Sequence, residues 1–256
     1  MVSRIDFNSD MGESFGLWER GADLEMLDSV SSANVACGFH AGDPTVMRRT
    51  VMAAKTRGVA VGAHPGYPDL LGFGRRELRV SPNDLRNYIV YQVAALQGFL
   101  KVAGLSLQHV KPHGALYTRV LEDEATAHAV LEGVAEIDPT LPVYTIRGSA
   151  AWHGAERLGL RAVPEYFADR PMRADGSVVM FNWKIEDAGG TPDGIARRAV
   201  RMLREGRVDA VGGGEATGIE VETICVHSDT PGSGPIARAL KSELQAAGIE
   251  IRPIIA

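Results

Sequence analysis

Chemically active side chains follow several short apolar runs of this 256-residue chain. Asp10 and Glu13 come directly after the first run, and the glycine between them permits a tight turn. Two carboxylates three residues apart can act as a general base with its orienting partner, or as ligands for a cation. Polar side chains hold a similar position at later runs: His40 and Asp43, His64, Lys111 and His113, Glu165 and Asp169, and His227 and Asp229.

Histidines stand in the loops after the second and third runs. Glycines bracket His40, so the backbone there can close around a ligand. His64 follows the third run directly, and the long loop behind it carries Arg75 and Arg76, a pair that could hold a carboxylate or a phosphate in bidentate fashion. A loop of this length, rich in glycine and aromatic residues, is more often functional than a plain surface connection.

The fourth run carries three basic side chains at alternate positions. In a strand, His109, Lys111 and His113 would share one face. A lysine buried on that face must be paired with an acid, or its pKa must be lowered, and both situations are common in active sites. The pattern therefore predicts that Lys111 and His113 reach a functional site.

Seven apolar runs alternate with amphipathic stretches, which predicts an α/β fold with parallel strands. Proline follows a capping residue at Asp43, Ser81 and Thr191, where helices are predicted to begin. An open doubly wound sheet gathers its ligands at one switch point, whereas a closed barrel draws them from the ends of many strands. Polar residues follow nearly every run here, so the pattern favours a closed β/α barrel. The predicted strands are residues 4–8, 32–37, 59–63, 108–111, 142–146, 162–166 and 222–226.

Composition bounds the domain organisation and excludes several functions. We expect one domain over residues 1–256, with irregular or hairpin excursions at residues 175–185 and 211–222. A net charge of −5 argues against nucleic-acid binding, and without a run of eighteen apolar residues no membrane-spanning helix is expected. Two cysteines cannot form a disulfide framework, so we expect a reducing, cytoplasmic location. The sequence has neither a P-loop motif nor the G-x-S-x-G motif of a serine acyl-enzyme mechanism.

Taken together, the strand-end motifs resemble the LamB/YcsF family, the A subunits of 5-oxoprolinase. The resemblance is most specific where acids, histidines and glycines recur in a fixed order. It is carried by residues 5–16, 31–44, 62–69, 72–76, 109–117, 167–170 and 225–227. Two departures stand out, because residues 177–181 lack the arginine of the family pattern and Ser228 replaces its glycine. The stretch at about residues 174–219 also diverges from that pattern.

The resemblance implies a fold, a reaction and partners. The fold is a seven-stranded parallel β/α barrel of the glycoside hydrolase/deacetylase type. The reaction is the ATP-dependent hydrolysis of the lactam of 5-oxo-L-proline to L-glutamate, with ATP bound as its Mg²⁺ complex. The expected partners are 5-oxoprolinase subunits B and C (PxpB and PxpC).

Hydrolysis of such a lactam needs a base for water, cations for a phosphorylated oxygen and an acid for the leaving nitrogen. We expect Asp10 to be the base, with Glu13 as its orienting partner, and either His64 or His113 to be the acid. Lys111 is expected to bind phosphate or carboxylate, and His40 completes the predicted catalytic set. The predicted substrate- or phosphate-binding residues are Arg75, Arg76, Asp169, Arg170, His227 and Asp229.

A divalent metal is an alternative use of the same residues. Similarity to deacetylase-like barrels would make Asp10, His64 and His113 its ligands, a sound set for an open catalytic site. The adjacent Lys111 opposes this reading, because a cation next to a cation is costly. Two other functions stay open: a stand-alone metal-dependent amidase or deacetylase, and a non-catalytic barrel that binds a small ligand.

Overall fold

Seven parallel strands close into a barrel in the computed structural model, which describes residues 2–255. The barrel order is β1-β2-β3-β4-β5-β6-β9, and β9 pairs with β1 to close it. This confirms the predicted barrel, and each predicted run contains or overlaps its strand. The strands are β1 (Arg4–Met11), β2 (Ser32–Ala36), β3 (Ala60–His64), β4 (Leu107–Val110), β5 (Val143–Thr145), β6 (Ala162–Phe167), β7 (Arg207–Asp209), β8 (Glu215–Thr217), β9 (Thr223–Cys225) and β10 (Glu250–Ile251).

Helices surround the barrel and begin where the capping residues predict. The side chains of Asp43, Ser81 and Thr191 each accept a backbone N–H of the first helical turn, which offsets the unpaired donors there. No helix in the described part of the chain is both long and apolar enough to cross a membrane. The helices are α1 (Asp23–Leu27), α2 (Pro44–Arg57), α3 (Pro82–Ala103), α4 (Gly114–Glu122), α5 (Glu124–Ile137), α6 (Ala150–Leu158), α7 (Pro192–Glu205) and α8 (Ser233–Ala246).

A buried polar network connects β1 to later strands of the barrel. Side chains at alternate positions of a strand share a face, so Asp6, Asn8 and Asp10 of β1 line up. Asn8 Nδ2 donates to Glu165 Oε1 at 3.0 Å and to Thr223 Oγ1 at 2.7 Å. Asp6 Oδ2 accepts the Thr223 hydroxyl at 2.5 Å. Because these buried groups satisfy one another, β1 can carry polar side chains inward up to Asp10 at its far end.

Glycine at position 62 is required by this interior. A Cβ atom there would overlap the imidazole of His109, whose Nε2 lies 2.6 Å from Asn34 Oδ1. We expect Gly62→Ala to lower the free energy of unfolding by about 1–3 kcal/mol, the usual cost of overpacking a core. Gly98→Ala is the matched control, because Gly98 lies in the interior of α3 with open space around it. The control should raise stability by roughly 0.5–1 kcal/mol, as alanine does for glycine in a helix. Urea unfolding of both variants tests this, and equal effects would contradict it.

The segment between β6 and α7 departs from the strand–helix rhythm, as the sequence predicts. An isolated bridge joins Met172 to Val178, and a 3₁₀ turn covers Ile185–Ala188. The second excursion forms half of a hairpin, because β8 pairs antiparallel with β7. Residues 180–183 of the first excursion line the cavity at the barrel mouth, so this irregular segment contributes to the site.

Candidate active site at the barrel mouth

A cavity of about 270 Å³ lies at the carboxyl ends of the barrel strands. Parallel strands deliver their end residues to one rim, which explains why side chains far apart in sequence meet there. Three predicted residues, His40, Arg76 and Asp169, do not line this cavity. The predicted residues that do are Asp10, Glu13, His64, Arg75, Lys111, His113, Arg170, His227 and Asp229.

Lys111 is the most deeply buried cation lining the cavity, with only 1% of the residue exposed. Its Nζ lies 3.1 Å from Asp10 Oδ1, 3.0 Å from Glu165 Oε1 and 3.1 Å from Cys225 Sγ. Burial by itself would lower the pKa of Lys111, but the carboxylate of Asp10, Cys225 and the carboxylate of Glu165 raise it well above its usual value. The amine is therefore a fixed positive charge, paired with acids as a buried lysine requires.

Asp10 divides its two carboxylate oxygens between different neighbours. Oδ1 accepts hydrogen bonds from Lys111 Nζ at 3.1 Å and from Asn34 Nδ2 at 2.8 Å. Oδ2 lies 3.4 Å from His64 Nε2 and 3.7 Å from His227 Nε2. Burial raises the pKa of Asp10, yet neighbouring His64 and Lys111 bring it well below its usual range. The carboxylate is ionised, with one oxygen left for a reacting group.

His227 and Asp169 form a buried acid–histidine pair. His227 Nδ1 lies 3.0 Å from Asp169 Oδ1, and the His227 backbone N–H donates to Asp169 Oδ2 at 3.1 Å. Arg170 Nη1 and the Thr230 hydroxyl also donate to that carboxylate, at 2.7 and 2.6 Å. Burial would raise the pKa of Asp169, but Arg170 and His227 hold it well below its usual value. An ionised Asp169 places the proton on Nδ1 and leaves His227 Nε2 available for proton transfer.

A second group at the mouth, the histidine cluster, comprises Glu13, His40, His64 and His113. Glu13 Oε1 lies 3.3 Å from His113 Nδ1, 3.6 Å from His40 Nε2 and 3.9 Å from His64 Nε2. The His40 ring stacks on His113 with centroids 3.7 Å apart, and burial together with His113 lowers the pKa of His40 to about 3. These donors lie close enough together to hold a divalent metal, and so do those of Asp10, Cys225 and His227.

The arginines take different places at the rim. Arg75 Nη2 lies 2.6 Å from Asp229 Oδ2 and lines the cavity. Arg76 instead pairs with Asp69 and lies outside the cavity. The two arginines were predicted to act as a pair, but they have different partners and different positions. Arg170 lines the cavity, where its guanidinium stacks 4.5 Å over the Trp183 ring.

Several residues of the site were not predicted from the sequence. Glu165 pairs with Lys111, and the Tyr117 hydroxyl donates to Glu165 Oε2 at 3.0 Å. The sequence places Glu165 among the polar residues at the strand ends but gives it no role in the site. Cys225 faces Lys111 although the sequence shows only a cysteine in an apolar run. Phe181 and Trp183 come from the irregular excursion, for which no periodicity gives a position.

Known proteins resemble this chain over nearly its whole length. The LamB/YcsF family model matches residues 5–256. The A subunit of a 5-oxoprolinase from Pyrococcus furiosus is 46% identical over 254 residues, covering 98% of each chain. Its counterpart from Limosilactobacillus fermentum is 48% identical over 254 residues, covering 98% of this chain and 99% of that one. The crystal structure of a lactam utilization protein from Thermus thermophilus matches with a TM-score of 0.91 at 43% identity, covering 98% of this chain and 100% of that one. This chain belongs to the LamB/YcsF family.

Proposed function

We propose that this protein is the catalytic subunit of an ATP-dependent 5-oxoprolinase, which hydrolyses the lactam of 5-oxo-L-proline to L-glutamate. The observation that carries the proposal is a small cavity in which an ionised Asp10 stands between buried Lys111 and the His227–Asp169 pair. A base, a fixed cation and a proton donor are what opening an amide requires. The names of the full-length relatives direct this chemistry to 5-oxoproline.

The reaction can be written so that every atom is balanced. An unstrained lactam is a poor electrophile, so ATP transfers its terminal phosphoryl group to the lactam oxygen and leaves ADP. Water adds to the activated carbon, the carbon–nitrogen bond breaks, and the nitrogen leaves with a proton as the amine. The resulting acyl phosphate reacts with a second water to give glutamate and inorganic phosphate.

The positions of the side chains favour one role for each. Asp10 takes the proton from the attacking water, because its Oδ2 has no lysine or asparagine donor. Lys111 stabilises negative charge on the reacting oxygen. We assign the proton donor to His227 rather than to His64 or His113. Asp169 orients His227 and stabilises its imidazolium form, in which Nε2 carries the proton to be donated, whereas His64 Nε2 and His113 Nδ1 face each other at 3.0 Å.

We propose that two arginines bind the carboxylate of the substrate. Arg75 and Arg170 both line the cavity, and a guanidinium can hold a carboxylate with two parallel hydrogen bonds. Arg170 could fulfil the role of the arginine that residues 177–181 lack. We propose that residues 1–256 act as one barrel domain and that the excursion at about 174–219 helps to cover the mouth, since residues 180–183 line it.

ATP and the other subunits belong to the proposal as well. The relatives are named as the A component of 5-oxoprolinase, which implies further components, and we propose that these are 5-oxoprolinase subunits B and C. The Mg²⁺–ATP complex would be used by this assembly in the cytoplasm, where ATP is supplied.

Reconstitution tests this function. The purified chain is incubated with 5-oxoproline and ATP, with and without subunits B and C, and glutamate and ADP are measured. We expect equimolar glutamate and ADP only when all subunits and ATP are present. Hydrolysis of simple acyl amides by the chain alone with Zn²⁺ or Mn²⁺ would favour a stand-alone amidase instead. Absence of product in every mixture would favour a ligand-binding barrel.

A further inference from the structure

We propose that Glu13, His64 and His113 form a binding site for one divalent transition-metal ion, next to the Asp10–Lys111 pair. The ligand atoms are Glu13 Oε1, His64 Nε2 and His113 Nδ1. This inference depends on the geometry of the histidine cluster alone and does not depend on the proposed lactam chemistry. It also replaces the predicted ligand set, because Glu13 takes the place of Asp10.

Hydrogen bonds to the backbone determine which nitrogens are free. His64 Nδ1 lies 2.7 Å from the Lys111 carbonyl oxygen, and His113 Nε2 lies 2.8 Å from the Phe73 carbonyl oxygen. A carbonyl oxygen only accepts, so both of these nitrogens carry the proton. In the neutral rings, His64 Nε2 and His113 Nδ1 are then unprotonated, and they face each other at 3.0 Å. Two lone pairs at this distance repel unless a cation lies between them.

Glu13 supplies the third donor to the same point. Its Oε1 is buried and has no hydrogen-bond partner among the described residues, which is costly for a carboxylate oxygen. It lies 3.3 Å from His113 Nδ1 and 3.9 Å from His64 Nε2. A tetrahedral ion with ligands at about 2.0–2.1 Å has ligand–ligand edges of about 3.4 Å. The three separations, including the 3.0 Å between the histidines, bracket that value.

Asp10 is a weaker candidate for the carboxylate ligand. Its Oδ1 already accepts from Lys111 and Asn34, and its Oδ2 lies between His64 and His227. Asp10 together with Glu165 also offsets the charge of Lys111, which reduces the repulsion that would oppose a neighbouring metal ion.

His40 packs against His113 and is not a metal ligand in this arrangement. Its ring is parallel to that of His113 within 2°, with centroids 3.7 Å apart. Because an imidazole nitrogen binds a metal in the plane of its ring, one ion cannot lie in both planes.

Three protein ligands leave a fourth position open, as in catalytic His₂–carboxylate zinc sites, and a bound ion supplies Lewis-acid polarisation of an oxygen ligand there.

Metal content of the tag-free, full-length protein tests the site without any activity assay. The protein is stripped with a chelator and dialysed against Zn²⁺ or Mn²⁺, and bound metal is measured by elemental analysis and calorimetry. We expect one ion per chain. Glu13→Gln keeps the shape of the side chain and should weaken metal binding by about 10-fold to 100-fold or more. Losses of that size follow even when a residue that only hydrogen-bonds to a metal ligand is replaced. His113→Ala should do the same.

Two control variants make the result decisive. Asp10→Asn should retain the ion, and so should His128→Gln, which changes an exposed histidine of α5. Circular dichroism of each variant shows whether the fold persists. The proposal is overturned if the wild-type protein binds no stoichiometric metal, since a shared proton would then join the two histidines. It is also overturned if Asp10→Asn loses the ion while Glu13→Gln keeps it, or if binding depends on His128.

Discussion

Replacing Lys111 with methionine is expected to lower glutamate formation by the assembled enzyme by about 10²–10³-fold, the usual cost of removing one donor to a developing oxyanion. The same change should lower the free energy of unfolding by about 3–5 kcal/mol, because it leaves buried carboxylates without their cation. Those carboxylates are Asp10 and Glu165, which lie 3.1 and 3.0 Å from Lys111 Nζ. Steady-state rates and urea unfolding measure the two effects separately.

Two further variants separate the catalytic effect from the structural one. Lys101→Met removes an exposed lysine from the last turn of α3 and should change neither quantity appreciably. Adding Glu165→Gln to Lys111→Met removes one unpaired charge, so the double variant should regain stability without regaining activity. A stable Lys111→Met protein with the wild-type rate would refute the role of the lysine.

Replacing Asp169 with asparagine is expected to lower kcat by about 10²–10⁴-fold, the usual contribution of general acid–base catalysis. The asparagine amide no longer favours the His227 tautomer that has its proton on Nδ1, nor does it stabilise the doubly protonated ring. Because Asp169 Oδ2 also accepts a hydrogen bond from Arg170 Nη1, KM for 5-oxoproline should rise as well, by less than kcat falls. Kinetics of glutamate release at saturating ATP measure both parameters.

The two members of this pair should behave as one unit. His227→Gln alone and the Asp169→Asn, His227→Gln double variant are expected to have similar residual rates, since residues that act together are not additive. Asp138→Asn is the matched control, because that partly exposed aspartate accepts side-chain hydrogen bonds from Thr140 alone. Fully additive losses would show that Asp169 and His227 act independently, contrary to the dyad.

Much of the fold follows from short-range patterns. The strands were predictable because they are apolar runs bounded by polar loops, and the helix starts because Asp43, Ser81 and Thr191 precede prolines. The rim position of Asp10 and His64 followed too, because a parallel barrel collects its strand ends on one side.

The pairings within the site could not be predicted in the same way. Arg75 and Arg76 are neighbours in sequence, but only the fold shows that one meets Asp229 in the cavity and the other meets Asp69 outside it. His227 and Asp169 are 58 positions apart, so neither residue type nor spacing indicates the bond between them. The sequence marks Glu165 only as a polar residue at a strand end, because its partner Lys111 comes from another strand.

The role of Asp10 as the base is tested by the rate of glutamate formation in the assembled enzyme that carries Asp10→Asn. The substitution keeps the shape of the side chain and removes the proposed base, while Glu165 still pairs with Lys111. We expect this variant to assemble with its partner subunits and to form glutamate at least about 10²-fold more slowly than the wild type. A variant that assembles and forms glutamate at the wild-type rate would contradict this role.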